Sequence, residues 1–331
     1  MGVEKVKWSP GQLKPMEPQS YPEPFNSPQH LFEIKWDGMR MLSFIENRTV
    51  RLQNRHLQER TKLFPELADL FRHIRAREAV LDGEMVVLAD RKPSFPLLMK
   101  RCLAGSQSRI SFLAKKIPAL YIVFDLLYLN GTELLNMPLG ERKKLLLEIF
   151  ETGPFCFLSP VFLEKGQPLF DAVKKEGLEG IVAKEIKAPY LPGRKSRHWL
   201  KIKARRQQLA VVGGYLLKHR TLSAILAGAF FENKLHYLGR VGTGLTREAE
   251  LLPLLNSLRT DRCPFVPAPR FKEEVVWVLP EVVVEIEFLE WTPDLKLRQP
   301  VLRKIVRKPP EACQLAPGNL QQNYPVFKLK I

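Results

Sequence analysis

The pattern of apolar residues changes near residue 205, and this change constrains the fold more than any other feature. Before it, strand-like runs such as AVLDGEMVVL and ALYIVFDLLYL are mixed with helical stretches such as ERKKLLLEIFE. After it come several short strand-like segments with turn residues between them, and one helical segment, REAELLPLLNSL. A length of 331 residues leaves room for two domains. We therefore expect an α+β domain over residues 1–205 and a small β-barrel or sandwich over residues 206–331.

Six prolines lie within the first thirty residues. Such spacing excludes a helix and favours an extended strap on the surface, so regular structure should begin near Leu31. The same segment lacks the apolar core of a secretory signal, and no run of about 18 apolar residues occurs in the chain. We expect a cytoplasmic protein that does not enter a membrane.

The charge balance indicates a polyanionic partner. The chain has 52 Lys and Arg against 35 Asp and Glu, a formal net charge of +17. Lysines and arginines that neutralise phosphates release condensed counterions, which favours nucleic acid first and an acidic membrane surface second. A basic surface without a specific partner remains the alternative.

The most informative string is KWDGMR, which begins at Lys35 and ends at Arg40 in a strand-turn-strand setting. It provides a lysine, an Asp-Gly turn and an arginine at fixed spacing. A lysine is nucleophilic only as the neutral amine, so a reactive Lys35 needs desolvation or neighbouring cations. The competing interpretation is an ordinary hairpin turn at Asp37-Gly38 with charged flanks.

Further short strings follow this one in a fixed order along the chain. They are Asn54-Arg55-His56, Asp82-Gly83-Glu84, Phe124-Asp125, Glu179-Gly180-Ile181-Val182-Ala183-Lys184 and Trp199-Leu200-Lys201-Ile202-Lys203. The order resembles that of the covalent nucleotidyltransferases, which comprise ATP-dependent DNA ligases, RNA ligases and mRNA capping enzymes. The strings GRKSRHWLKIK and YLGRVGTG resemble in particular the ligase domain of bacterial ligase D. One departure is Asn54-Arg55-His56, where the family usually has Ser-Arg-Asn.

The resemblance implies a fold and a set of roles. Residues 1–205 would form an adenylation (nucleotidyltransferase) domain of antiparallel sheets with helices, including the strap of residues 1–30, and residues 206–331 an OB-fold barrel. Lys35 would accept AMP from ATP, and Mg²⁺ or Mn²⁺ would be held by Glu84 and Glu179. The remaining site residues would be Arg40 and Arg55 on ribose or phosphate, Phe124 on adenine, and Lys201 and Lys203 beside the phosphates.

Elementary chemistry is consistent with these roles, although each residue also has a simpler explanation. Lys201 and Lys203 share one face of a strand, where they could lower the pKa of Lys35, but they could equally be solvated on an exposed edge strand. Two glutamates from separate strands suit Mg²⁺, which keeps several waters. Taken alone, Phe124 would be an ordinary core phenylalanine.

The last motif of the family is only partly present. It normally contains a basic R-x-D-K string in the second domain, which orients pyrophosphate. Here Leu297-Arg298-Gln299-Pro300 matches its start, but no Asp-Lys follows Arg307. Arg298 is the best-aligned candidate for a role in adenylation, with Arg307 and Lys308 as others.

The sequence thus predicts an ATP-dependent DNA ligase that seals 5′-phosphate/3′-hydroxyl breaks through a lysyl-AMP intermediate, in repair by end joining. We expect it to be monomeric and nucleoid-associated, to bind nicked or broken duplex DNA, and to use the Ku end-binding protein as a partner. The barrel should swing about the segment near Arg205 between steps. The alternatives are an RNA ligase, a capping guanylyltransferase and a non-catalytic DNA-binding module with a relic nucleotide site.

Overall fold

The computed structural model describes residues 8–245, 248–292 and 294–315. The chain forms two compact units, Met1–Ala204 and Arg205–Ile331. None of the helices in the described part of the chain combines the length and apolar character that crossing a bilayer requires.

The first unit consists of two sheets with helices packed on them. Its strands are β1 Glu17–Ser20, β2 Ser27–Ile34, β3 Met39–Glu46, β4 Thr49–Asn54, β5 Glu78–Ala89, β6 Lys92–Pro93, β7 Ala119–Leu129, β8 Thr132–Glu133, β9 Cys156–Leu158, β10 Phe162–Glu164, β11 Gly180–Glu185 and β12 Lys195–Lys203. Its helices are α1 Phe95–Cys102, α2 Gln107–Lys116, α3 Leu139–Ile149 and α4 Gly166–Lys175. Short 3-10 turns lie at Thr61–Leu63, Pro65–Leu67 and Leu70–His73.

Each of the two sheets contains strands from distant parts of the first unit. One has the order β1-β12-β11-β2-β10, and the other has the order β4-β3-β5-β7-β8, with β6 paired to β5 and β9 paired to β7. The central strands β5 and β7 are almost wholly buried, as the apolar runs on either side of Asp82-Gly83-Glu84 and of Asp125 predict. A core cluster that includes Leu42, Phe124 and Trp199 draws on both sheets.

The N-terminal segment is extended, as its prolines predict, and most of residues 8–30 are exposed or partly exposed, but some of its apolar side chains enter the core. Leu13 and Met16 are fully buried, and they pack in the same cluster as Tyr190 and Trp199. Regular structure also begins earlier than Leu31, because β1 pairs in parallel with β12. Proline spacing constrains the backbone of a segment, but the apolar side chains between the prolines decide whether it is buried.

The second unit is a barrel built around two long strands, β13 and β14. Its elements are β13 Arg206–Lys218, β14 Thr221–Phe231, β15 Lys234–Val241, α5 Glu248–Ser257, β16 Arg259–Thr260, β17 Val276–Val278, β18 Val283–Phe288, β19 Val301–Val306 and a 3-10 turn at Pro310–Ala312. β13 pairs with both β14 and β18, which in turn pair with β15 and β19. The Leu302 N–H donates to the Thr243 carbonyl at 2.9 Å, just beyond β15, and this closes a five-stranded ring. The predicted α+β class with a C-terminal OB-type barrel is therefore confirmed.

Candidate functional site

Lys35 lies in a loop that connects the two sheets of the first unit. β2 ends at Ile34 and pairs with β10 and β11, whereas β3 begins at Met39 and pairs with β4 and β5. The two strands that flank Asp37-Gly38 therefore do not pair, which excludes the ordinary hairpin. A Cβ at Gly38 would overlap the Met85 carbonyl oxygen, so only glycine fits this close crossing.

Strand alternation places charged side chains on one face of the five-stranded sheet. Phe32, Ile181 and Ile202 are buried in a cluster that includes residues of α4, and their sequence neighbours point the other way. That opposite face carries Glu33 on β2, Val182 and Lys184 on β11, and Trp199, Lys201 and Lys203 on β12. β12 is not an edge strand, because β1 and β11 flank it.

Glu179 joins two of the predicted lysines. Lys35 Nζ donates to its Oε2 at 2.5 Å, and Lys203 Nζ lies 3.1 Å from its Oε1. Burial opposes ionisation of Glu179, but Lys35 and Lys203 outweigh it and lower the pKa of the carboxyl. Gly180 has a φ of +147°, and a Cβ there would overlap the Ile202 carbonyl oxygen, which accounts for the glycine after Glu179.

Lys201 belongs to the same cationic cluster. Burial lowers the pKa of its ammonium, and the positive charges of Lys35 and Lys203 lower it further. The site therefore concentrates three ammonium groups around one buried carboxylate. Such a field attracts a polyanionic ligand such as a triphosphate.

Arg40 is fixed by a buried carboxylate. Its Nε and Nη2 donate to the two oxygens of Asp82 at 2.5 and 2.6 Å, in the two-pronged geometry typical of strong arginine–carboxylate pairs. The Tyr190 hydroxyl donates to Asp82 Oδ2 at 2.6 Å and accepts a hydrogen bond from the Met16 N–H at 3.0 Å. The guanidinium lies 4.5 Å from the centre of the Phe124 ring. Arg40 is thus held in one orientation.

A buried lysine completes the aromatic side of the site. Lys184 Nζ lies 4.2 Å from the ring centres of both Phe124 and Trp199 and donates to Glu33 Oε2 at 2.8 Å. Lys143 donates to the other oxygen of Glu33. Burial lowers the pKa of Lys184 to about 8, although Glu33 opposes this shift.

Glu84 on β5 is half-buried and faces Arg40 and Lys35. Burial raises its pKa to about 8, even though Arg40 and Lys35 favour the ionised form. Among the described residues, no side chain forms a hydrogen bond or ion pair with its carboxylate at short range. Glu84 and Glu179 are carboxylates, the donors that divalent cations prefer, and two of them suffice for Mg²⁺. Within the described ranges, no group of three or more His, Cys, Asp or Glu side chains is arranged to hold a metal ion.

These residues surround one small cavity of about 70 Å³. Its lining consists of Pro18, Glu33, Ile34, Lys35, Trp36, Arg40, Glu84, Phe124, Val182, Lys184 and Trp199. The structure thus brings Lys35, Arg40, Glu84 and Phe124 together, with Glu179 bound directly to Lys35. Phe124 is both a core residue and a wall of this cavity.

Two predicted site residues lie elsewhere. Arg55 is exposed, lies outside the cavity lining and donates through Nε to His56 Nε2 at 3.2 Å. Arg298 belongs to the second unit, where its Nη1 donates to Glu290 Oε1 at 2.5 Å. Arg307 and Lys308 are exposed beyond β19. The roles of these residues remain predictions.

Several residues that shape the site have no role that the sequence motifs predict. Asp82 and Tyr190 hold Arg40, whereas Glu33, Lys184 and Trp199 line the cavity. The signal for Glu33 and Lys184 was the same two-residue alternation that placed Lys201 and Lys203 on one face. The contact of Tyr190 with Asp82 joins positions 108 residues apart and leaves no local signal.

The buried ammonium of Lys184 predicts a pH-dependent stability. The unfolded chain holds this proton up to about pH 10.4, whereas the folded chain releases it near pH 8. The unfolded state therefore binds more protons between these values, so stability rises with pH there. Relative to Lys184→Met, the wild-type free energy of unfolding should increase by about 2.5 kcal/mol from pH 7 to pH 10, measured by urea unfolding. Lys144, which is exposed, provides the matched Lys→Met control, and a wild-type advantage that does not change with pH would contradict this expectation.

Comparisons with known proteins agree with this geometry. Residues 15–203 match the family description "ATP dependent DNA ligase domain", and residues 218–308 match "ATP dependent DNA ligase C terminal region". The multifunctional non-homologous end joining DNA repair protein LigD of Mycobacterium tuberculosis is 35% identical over 280 residues, which is 82% of this chain and 35% of that protein. The chain thus spans about a third of the length of this curated relative.

Solved structures show the same likeness. The ligase domain of M. tuberculosis LigD has a TM-score of 0.53 and 31% identity, covering 93% of this chain and 100% of that one. A mycobacterial DNA ligase D in complex with ATP and MES has a TM-score of 0.55 and 31% identity, covering 92% of this chain and 98% of that one. The family matches extend over both units, and this chain belongs to the ATP-dependent DNA ligase family.

Proposed function

We propose that this chain is an ATP-dependent DNA ligase that joins 5′-phosphate and 3′-hydroxyl ends through an AMP adduct on Lys35. The observation that carries this proposal is the convergence of Lys35, Arg40 and Glu84 on one cavity, with Glu179 bound to Lys35. Residues 1–205 would act as the nucleotidyltransferase domain and residues 206–331 as the OB-fold domain.

In the first step, Lys35 Nζ attacks the α-phosphorus of ATP. The ammonium proton of Lys35 first passes to solvent. The new bond then joins nitrogen to phosphorus, the bond from phosphorus to the bridging oxygen breaks, pyrophosphate leaves, and a second proton is released from the nitrogen to solvent. Glu179 Oε2 orients the amine before attack, since it lies 2.5 Å from Nζ. Lys201 and Lys203 place positive charge beside the phosphates, where negative charge accumulates in the transition state. Arg40, held by Asp82, offers its remaining guanidinium donors to the ribose or phosphate.

The carboxylates of the site fit a divalent cation. The raised pKa of Glu84 reflects a desolvated carboxyl that an added positive charge would stabilise in its ionised form. Glu84 and Glu179 would hold Mg²⁺ or Mn²⁺. When bound, such an ion neutralises charge on the phosphates.

The aromatic part of the cavity fits the nucleotide base. Phe124 presents a ring beside Arg40 and Lys184, and such a wall suits stacking against adenine. After adenylation, AMP would pass from Lys35 to the 5′-phosphate of the break, and the 3′-hydroxyl would then displace AMP to form the phosphodiester. Each step exchanges one phosphorus bond for another, and the covalent intermediate divides one difficult displacement into easier ones.

The biological setting follows from the relatives and stays a proposal for this chain. The M. tuberculosis relative is described as a non-homologous end joining DNA repair protein. We propose that this chain also acts on broken duplex DNA, as a cytoplasmic, nucleoid-associated monomer that works with the Ku end-binding protein. Its net charge of +17 supports a nucleic-acid substrate.

Intact-mass measurement and a sealing assay test the function together. We expect a gain of one AMP with ATP and Mg²⁺, none with GTP or NAD, and sealing of a 5′-phosphorylated nick in duplex DNA. A gain with GTP alone would favour a capping-type enzyme, and sealing confined to RNA would favour an RNA ligase. A protein that is free of AMP as purified and gains no mass would be a non-catalytic module.

A further inference from the structure

The segment between β6 and β7 has an unusual charge pattern. Residues 91–124 contain seven Lys or Arg and no Asp or Glu. They comprise β6, α1, α2 and the start of β7, and α1 packs on the seven-stranded sheet through Leu98, whereas α2 packs beside α1. Only one of these seven cations is buried, Arg101.

Arg101 serves the structure. Its guanidinium binds Glu66 through two hydrogen bonds of 2.7 and 3.1 Å and also donates to the carbonyls of Leu63 and Ile117. Ile110 and Leu113 anchor the inner face of α2. Buried residues therefore anchor the two helices, and their solvent-facing side chains are not needed for this packing.

The outer face combines unpaired cations with apolar side chains. Lys100 on α1 and Arg109, Lys115 and Lys116 on α2 are exposed, and no carboxylate among the described residues forms an ion pair with them. Leu103, between the helices, is 77% exposed, and Phe112 on α2 is 58% exposed. We call these six residues the α1–α2 surface.

Helical spacing places the aromatic ring among the cations. Arg109 precedes Phe112 by three residues and Lys116 follows it by four, so all three share one face of α2. Like charges at this density repel one another, and a polyanion that binds them relieves the repulsion. Phosphate oxygens accept hydrogen bonds from Lys and Arg side chains. An exposed aromatic ring can pack against the sugars that lie between successive phosphates.

We infer that the α1–α2 surface binds the phosphate backbone of duplex DNA, with Phe112 against the deoxyriboses. This inference rests on the proposed function and names a surface of the first unit that binds its substrate. A basic or mixed-charge protein partner is the less favoured occupant, because residues 91–124 contain no carboxylate to pair with it.

The salt dependence of DNA binding tests this inference. The variant Arg109→Gln/Lys115→Gln/Lys116→Gln should bind a nicked duplex at least about tenfold more weakly than wild type, and the slope of log affinity against log salt should fall by about 0.9 for each phosphate that is no longer neutralised. Phe112→Ser should weaken binding without changing the slope. Fluorescence anisotropy over a salt series measures both quantities.

A matched variant controls for net charge. Lys165→Gln/Lys174→Gln/Lys175→Gln removes three exposed lysines on and beside α4, where Asp171 and Glu176 balance the charge, and it should keep most of the wild-type slope. Adenylation by ATP without DNA should be unchanged in all variants, which shows that the ATP site is intact. If wild type seals nicks but the α2 variant keeps the same slope as this control, the inference is overturned and the function stands. If wild type neither accepts AMP nor seals DNA, the proposed function itself fails.

Discussion

Replacing Lys35 with alanine should abolish the gain of one AMP that the wild-type protein shows with ATP and Mg²⁺. The covalent step needs an amine at the phosphorus, and Lys35 Nζ is the amine that Glu179 orients within the cavity. Alanine removes the nucleophile, so the expected loss is complete rather than partial. Intact mass spectrometry of the purified variant, before and after incubation with ATP, measures it directly.

The loss should not reflect unfolding. Glu179 keeps Lys203 at 3.1 Å in the variant, so its buried carboxylate is not left without a cation. The unfolding midpoint of Lys35→Ala should therefore stay close to that of wild type. Lys203→Ala provides the matched variant, because it removes the second partner of Glu179 but keeps the nucleophile and should slow adenylation without preventing it. An AMP adduct on Lys35→Ala would place the nucleophile elsewhere, with Lys201 and Lys203 as the first candidates.

The sequence was sufficient to predict several of the strands, helices α3 and α5, and the order of the motifs, but not helices α1, α2 and α4. Apolar runs interrupted only by short charged motifs identify β5 and β7, because strands buried on both faces are mostly apolar. Alternation places Lys201 and Lys203 on one face of β12 because the side-chain period of a strand is two. These inferences depend only on local geometry.

Long-range placement could not be predicted in the same way. Nothing local indicates that β2 and β3 join different sheets, although this crossing is what puts Lys35 between them. Met16 looked like part of a surface strap, yet its backbone N–H bonds to Tyr190, 174 residues away. Lys184 was visible within its motif, but its burial beneath two aromatic rings depends on Trp199 from another strand. Such arrangements follow from tertiary packing and not from sequence spacing.

The second large effect should come from Asp82→Asn. Asp82 is fully buried and accepts hydrogen bonds from Arg40 and Tyr190. Asparagine removes the negative charge and replaces one carboxylate oxygen, which accepts hydrogen bonds, with an amide NH2, which donates them. The largely buried guanidinium of Arg40 therefore loses its anionic partner. Breaking a buried pair from one side costs about 3–5 kcal/mol of unfolding free energy. Affinity for ATP should fall as well, because Arg40 is no longer held beside Phe124.

Tyr190→Phe separates the charge effect from the loss of a hydrogen bond. It removes the tyrosine hydroxyl but leaves both Arg40–Asp82 hydrogen bonds in place, and because it also leaves the buried Met16 N–H without its acceptor it should cost about 1–3 kcal/mol. Urea unfolding of both variants, together with ATP titration, distinguishes the two contributions. Equal losses of stability in Asp82→Asn and Tyr190→Phe would mean that the carboxylate charge does not hold Arg40. A much larger loss in Asp82→Asn, accompanied by weaker ATP binding, would show that this buried pair both stabilises the first unit and orients the arginine of its nucleotide site.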